Sequence, residues 1–128
     1  NGLVFVADCG RFVHCVDAET GQPCWTHQTK GEIWGCTLVA DGKVYVGTRQ
    51  GDFWVFAASR DKRVISSIEL DSPIVSSPIA ANGVLYIATM KKLYAVGFPQ
   101  RLEKGAPVSL SDLTKLGPVG VGPTTNGL

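Results

Sequence analysis

One phrase occurs three times in this chain of 128 residues. Asn1-Gly-Leu-Val-Phe-Val-Ala7, Asp41-Gly-Lys-Val-Tyr-Val-Gly47 and Asn82-Gly-Val-Leu-Tyr-Ile-Ala88 each place a turn dipeptide before a short apolar run. They begin at positions 1, 41 and 82, a period of 40 to 41 residues. Asn-Gly and Asp-Gly accept positive φ at both central positions of a type I′ turn, so each copy marks the tip of a two-residue hairpin. A period of this length confines the chain to an array of small supersecondary units.

Within the middle unit the pattern predicts four strands. Trp34 to Ala40 and Lys43 to Thr48 flank Asp41-Gly42, and the turn Arg49-Gln-Gly-Asp52 leads into Phe53 to Ala57, with Arg63 to Leu70 as the fourth. The third unit repeats this with Ile74 to Ala80, Val84 to Thr89 and Lys92 to Val96; the first has Leu3 to Ala7, Arg11 to Val16 and Cys24 to Gln28. Helical arrays of similar period need runs of about 10 residues at 3.6 periodicity, which 15 Gly and 7 Pro interrupt throughout this chain. The expected fold is therefore all-β, with β-propeller blades of four antiparallel strands. Residues 1–97 supply about three blades, starting near 1, 41 and 82. Closed propellers carry about four to eight blades, so these are expected to form part of a larger ring, or one completed by a second copy.

The remainder reads differently. Residues 98–117 have loop composition, with a short helix expected near Ser109 to Leu116, capped by Ser111 and stopped by Gly117. Residues 118–128 then echo an earlier stretch, because Pro118 and Pro123 repeat the spacing of Pro73 and Pro78 before Asn126-Gly127. They are predicted to form the first strand of a further or ring-closing blade, which would spare the sheet an exposed edge.

Charge narrows the function classes. Twelve Lys and Arg against 11 Asp and Glu leave a net charge of +1, without the electrostatic footprint of a nucleic-acid or anionic-lipid binder. No apolar run approaches the roughly 20 residues of a membrane helix. Neither a membrane span nor a secretion signal is expected.

The stretch Cys15-Val-Asp17-Ala-Glu-Thr20-Gly21-Gln-Pro-Cys-Trp25 resembles the docking motif of pyrroloquinoline-quinone-type (PQQ-like) β-propeller repeats, usually Ala-x-Asp-x-x-Thr-Gly-x-x-x-Trp. This family includes outer-membrane assembly lipoprotein-like propellers. Asp17, Thr20, Gly21 and Trp25 hold the motif's spacing, and Cys15 replaces its Ala. Physically, Asp-x-x-Thr-Gly suits a tight turn in which the carboxylate accepts backbone N–H groups and Gly21 takes the strained conformation. Trp25 then packs between adjacent blades. Forty residues on, the same positions are Ala57, Arg60, Asp61 and Ile65, and the third unit ends at Gly97 without a Trp, so only the first unit should dock in the standard way. The resemblance implies a periplasmic or cell-envelope location.

It also implies a cofactor question. The family's dehydrogenases hold quinone and Ca²⁺ on the propeller axis, and alcohol-oxidising members stack the quinone on a disulfide between adjacent cysteines. Cys9, Cys15, Cys24 and Cys36 are never adjacent, and no cluster of Asp, Glu and Asn marks a cation site. No catalytic, cofactor-binding or metal residue is therefore assigned; PQQ and calcium enter only under an alternative reading. The cysteine gaps also argue against structural zinc, and Cys15 reads as a small buried hydrophobe. A bridge between Cys9 and Cys24 is open but undirected by the sequence. His14 and His27 read as packed or solvent-facing strand residues, and Arg60 to Arg63 as an exposed loop.

Trp34, near the start of an innermost strand, and Trp54, facing opposite to its neighbours Phe53 and Val55, are the candidates for an axial or ligand surface, with packing as the competing role. Three functions stay open. A non-catalytic propeller that binds a protein or peptide would show an apolar patch at one end of the blades. A piece of a quinone-dependent dehydrogenase, its cofactor site outside this chain, would converge acidic and amide groups on the axis. A carbohydrate-binding propeller would set aromatics beside exposed polar groups.

Overall fold

A computed structural model describes residues 2–97, and it is built entirely of antiparallel strands. The predicted loop and helix at 98–117 and the strand at 118–128 lie outside the described residues. Three sheets follow one another along the chain. The first contains β1 (Leu3–Ala7), β2 (Phe12–Asp17) and β3 (Pro23–Gln28) in that order. The second is a complete four-stranded blade, β4 (Leu38–Ala40), β5 (Lys43–Gly47), β6 (Asp52–Ala57) and β7 (Val64–Glu69). The third pairs β8 (Ile79–Ala81), β9 (Val84–Ala88) and β10 (Leu93–Val96).

The repeated dipeptides act as expected. Asp41 and Gly42 have φ of 52° and 68°, Asn82 and Gly83 have 52° and 76°, and each pair joins strands in register, Ala40 to Lys43 and Ala81 to Val84.

Alternation along the middle blade divides its side chains between its neighbours. Val44, Val46 and Phe56 join Val13, Cys15, Trp25 and Ile33 in a core between the first and second sheets, with Trp54 packed against it. Tyr45, Phe53 and Val55 face the other way, where Ile74, Leu85, Ile87, Tyr94 and Val96 complete a second core. Burying an aliphatic or aromatic side chain of this size contributes about 1.5–3 kcal/mol, so the middle blade is clamped from both faces.

The predicted first strands prove too long. Only Leu38–Ala40 and Ile79–Ala81 join a ladder, not the stretches beginning at Trp34 and Ile74. The lead-in residues contact neighbouring blades instead. Cys36 N–H donates to Ser77 Oγ at 2.8 Å, and Thr37 Oγ1 donates to the Phe5 carbonyl at 2.9 Å. Gly35 lies so close to the Ser76 backbone that an added Cβ would come within 2.6 Å of its carbonyl oxygen. Backbone groups satisfied by another blade are lost to the ladder of their own.

Candidate functional site

The first sheet presents the turn that carries the docking residues. Asp17 Oδ1 accepts the Glu19 and Thr20 amides, both at 2.9 Å, and Gly21 N–H donates to the Asp17 carbonyl at 2.9 Å. Gly21 has φ of 74°, in the left-handed region. The other carboxylate oxygen reaches across the seam to Arg60 Nη2 at 2.7 Å. The Thr20 amide, Arg60 and the Glu19 amide together pull the Asp17 carboxyl down to about 2. Trp25, 7% exposed, sends its indole N–H to the Ser59 carbonyl at 2.9 Å and packs 5.3 Å from the Phe56 ring. Arg60 occupies the second unit's counterpart of the Thr20 position. The departure from the motif in one blade thus supplies the ion pair that its neighbour's Asp uses.

A second constellation gathers at one end of the blades. An open cleft of about 680 Å³ is lined by Cys9, Gly10, Arg11, Lys30, Glu32 and Gln50, among others. Cys9-Gly10 and Arg49-Gln50 are equivalent positions one period apart, so the repeat itself brings these two turns to the same end. Backbone bonds fix the walls: Thr29 N–H donates to the Arg11 carbonyl at 2.7 Å, and Arg49 N–H to the Glu32 carbonyl at 2.8 Å. Beside this cleft stands Trp34, 57% exposed. Arg49 lies over its ring at 4.2 Å, and Glu32 Oε2 accepts both the indole N–H at 3.1 Å and Arg49 Nη1 at 3.2 Å. The guanidinium–indole contact and the shared carboxylate hold an exposed aromatic in a fixed orientation. Arg11 and Lys30 add cations that form no salt bridge among the described residues.

Trp54 does not join Trp34. It lies parallel to Phe56 with centroids 6.0 Å apart and meets the His27 ring at 4.6 Å, inside the seam between the first two sheets. Its indole nitrogen and both His27 ring nitrogens are buried without a hydrogen-bond partner. Burial, then the Lys62 charge, lowers the His27 pKa. Sequence reasoning singled out Trp34 but missed Glu32 and Arg49; for Arg49 the available signal was its equivalence to the turn residue Cys9 one period earlier. Among the described residues no group of three or more His, Cys, Asp or Glu could hold a metal ion, and no helix is long and apolar enough to cross a membrane.

Antiparallel blades repeating every 40 to 41 residues, the middle one with four strands and joined to the first by the Trp25–Ser59 hydrogen bond, are those of part of a β-propeller of the PQQ-like repeat class. The profile of the family described as outer membrane protein assembly factor BamB matches residues 1–64, and the chain belongs to this PQQ-like repeat family. No curated protein matches the sequence. Among solved structures, BamB from Moraxella catarrhalis is similar at 18% identity and a TM-score of 0.62, over 72% of this chain and 28% of that one. A quinohemoprotein alcohol dehydrogenase from Pseudomonas putida HK5 is similar at 18% identity and a TM-score of 0.64, over 74% of this chain and 18% of that one. The quinohemoprotein alcohol dehydrogenase of Comamonas testosteroni gives 20% and 0.60, over 73% and 18%. The chain therefore spans less than a third of the length of each of these proteins.

Proposed function

We propose that this chain is a non-catalytic PQQ-like propeller module whose cleft end binds a protein or peptide partner. The observation that carries this reading is the pairing of an exposed Trp34 with Arg49 and Glu32, two residues that line an open cleft. Trp and Arg dominate the residues whose truncation costs most at protein interfaces, and their rigidity here lowers the entropic cost of binding. An open polar cleft suits a protruding loop better than a small molecule, which selects enclosed and largely apolar cavities. The BamB likeness agrees, since that protein is described as an assembly factor. A cell-envelope setting follows from the same likeness.

The likeness to quinohemoprotein dehydrogenases supports a second reading, a segment of an oxidoreductase whose cofactor site lies in other blades. Among the described residues no group of three or more His, Cys, Asp or Glu could hold a metal ion, so under this reading the Ca²⁺ ligands would come from other blades. A carbohydrate platform would use the exposed Trp34 beside its polar neighbours, yet the Arg49 guanidinium already covers one face of that ring.

A photo-crosslinker placed at Gln50, on the cleft wall next to Arg49, tests the reading in cells. It should trap one defined protein, and Trp34→Ala should weaken that purified partner's binding by about tenfold or more. Unchanged affinity overturns the reading. So does a saturable absorbance change when the protein is titrated with quinone and Ca²⁺.

A further inference from the structure

The seam between the first two blades holds a feature with no role in docking a partner. Cys15 and Cys24 stand on neighbouring strands, where the pairing passes from Cys15 with Trp25 to Val16 with Pro23 and leaves Cys24 in the bulge between. A bulge sets two residues against one and turns both toward the same side. Both sulfurs accordingly face the same short segment of the second blade. Cys15 Sγ lies 3.7 Å from the Ser59 carbonyl, and Cys24 Sγ lies 3.8 Å from Arg60 Nη1 on the next residue. The register thus sets the two cysteines side by side across the β2–β3 ladder. They differ in access: Cys15 is fully buried, while Cys24 is partly exposed at the seam. Cys9 and Cys36 are exposed and stand elsewhere.

We propose that Cys15 and Cys24 form a thiol–disulfide exchange site that closes to an intramolecular disulfide on reaction with a low-molecular-weight or protein disulfide. The chemistry assigns the roles. The accessible Cys24 thiolate attacks one sulfur of the external disulfide, forming a mixed disulfide and expelling one thiolate. Cys15, held against it, then attacks Cys24 Sγ and expels the second. Two protein thiols are oxidised and one external disulfide is reduced to two thiols. Burial, and then the neighbouring Cys24, push the Cys15 thiol up to about 11, in keeping with a resolving partner that waits for the mixed disulfide. Closing the bond draws Cys24 from Arg60 and Cys15 from Ser59, so the redox state acts on the segment that also receives the Trp25 indole and the Asp17 carboxylate.

Trypsin makes the test direct, because cleavage after Arg11 and Lys30 leaves Cys15 and Cys24 together in peptide 12–30, with Cys9 in 1–11 and Cys36 in 31–43. The intact protein is equilibrated with equimolar reduced and oxidised glutathione, its thiols are trapped with iodoacetamide, and the digest is weighed. The expected result is a 12–30 peptide two hydrogens lighter than its reduced form and carrying neither glutathione nor alkyl group. In Cys15→Ser protein, Cys24 should instead keep glutathione, and in Cys24→Ser protein Cys15 should stay reduced. The proposal is overturned if native 12–30 is doubly alkylated, if it retains glutathione, or if Cys24 is linked to Cys9. These readouts come first from the unmodified sequence, so a variant that fails to fold does not remove the test.

Discussion

Asp17 shows how one side chain can serve a turn and a seam together. Its Oδ1 closes the docking turn through the Glu19 and Thr20 amides, while its Oδ2 holds Arg60 of the next blade. The Arg60 pair needs the ionised carboxylate and the N–H bonds are stronger to it, which is why its folded pKa falls from 3.8 to about 2. A lowered folded pKa means the unfolded chain binds the proton first. The contribution is therefore complete above the unfolded value and disappears as pH falls through the folded one. Asp17→Asn should be less stable than the parent at neutral pH, with the gap narrowing between about pH 4 and pH 2. Denaturant melts of both proteins across that range check this; a gap independent of pH would exclude the ionised carboxylate as its source. At this scale the sequence was informative where chemistry is local. The spacing of Asp17, Thr20 and Gly21 announced a turn because all three act within five residues, whereas Arg60 as the partner of Asp17 needed the blade packing. Trp54 was ambiguous for the same reason, since both faces of a blade strand can be covered and only packing shows that His27 and Phe56 claim it.

At the level of elements, the ladders follow closely from alternation and turn dipeptides, and the departures fall where strands meet other blades. The stretches before β4 and β8 carry strand-like residues, yet their polar groups are bound across seams, Cys36 to Ser77 and Thr37 to Phe5. No local pattern encodes such a partner. The thiol pair is illegible for a related reason, because a bulge that moves Cys24 opposite Cys15 leaves no mark in the spacing of cysteines. Two glycines separate local from tertiary demands. Gly42 has φ of 68° and open space about its Cβ direction, so alanine there suffers only backbone strain, about 1 kcal/mol. Gly35 faces the Ser76 carbonyl, which an alanine Cβ would approach to 2.6 Å. Neither piece of backbone can swing aside as a flexible side chain can, and overpacking of this kind costs about 1–3 kcal/mol. Gly35→Ala should thus lower the unfolding midpoint more than Gly42→Ala. The reverse order in thermal melts would mean that the second and third blades do not approach as described.

The whole molecule is governed by what the middle blade has and its neighbours lack. Blade two is covered on both faces and has all four strands. Among the described residues, the first sheet ends at β1 with no strand beside it. Along β1, Leu3, Phe5 and Ala7 pack inward on the core, whereas Val4 and Val6 are 47% and 49% exposed. An apolar row flanking an open strand edge is a surface for another sheet, since unpaired N–H and C=O groups and bare valines both favour association. A further blade, from more chain or from a second copy, would cover it, and closed rings of about four to eight blades require this in any case. We therefore expect this chain, studied alone, to associate through β1. Light scattering should give a mass above that of one chain, and replacing Val4 and Val6 with Lys should return it to the monomer while leaving its circular dichroism unchanged. A stable, compact monomer in the unmodified protein would show that these valines tolerate water and that three blades suffice, against the energetics argued here.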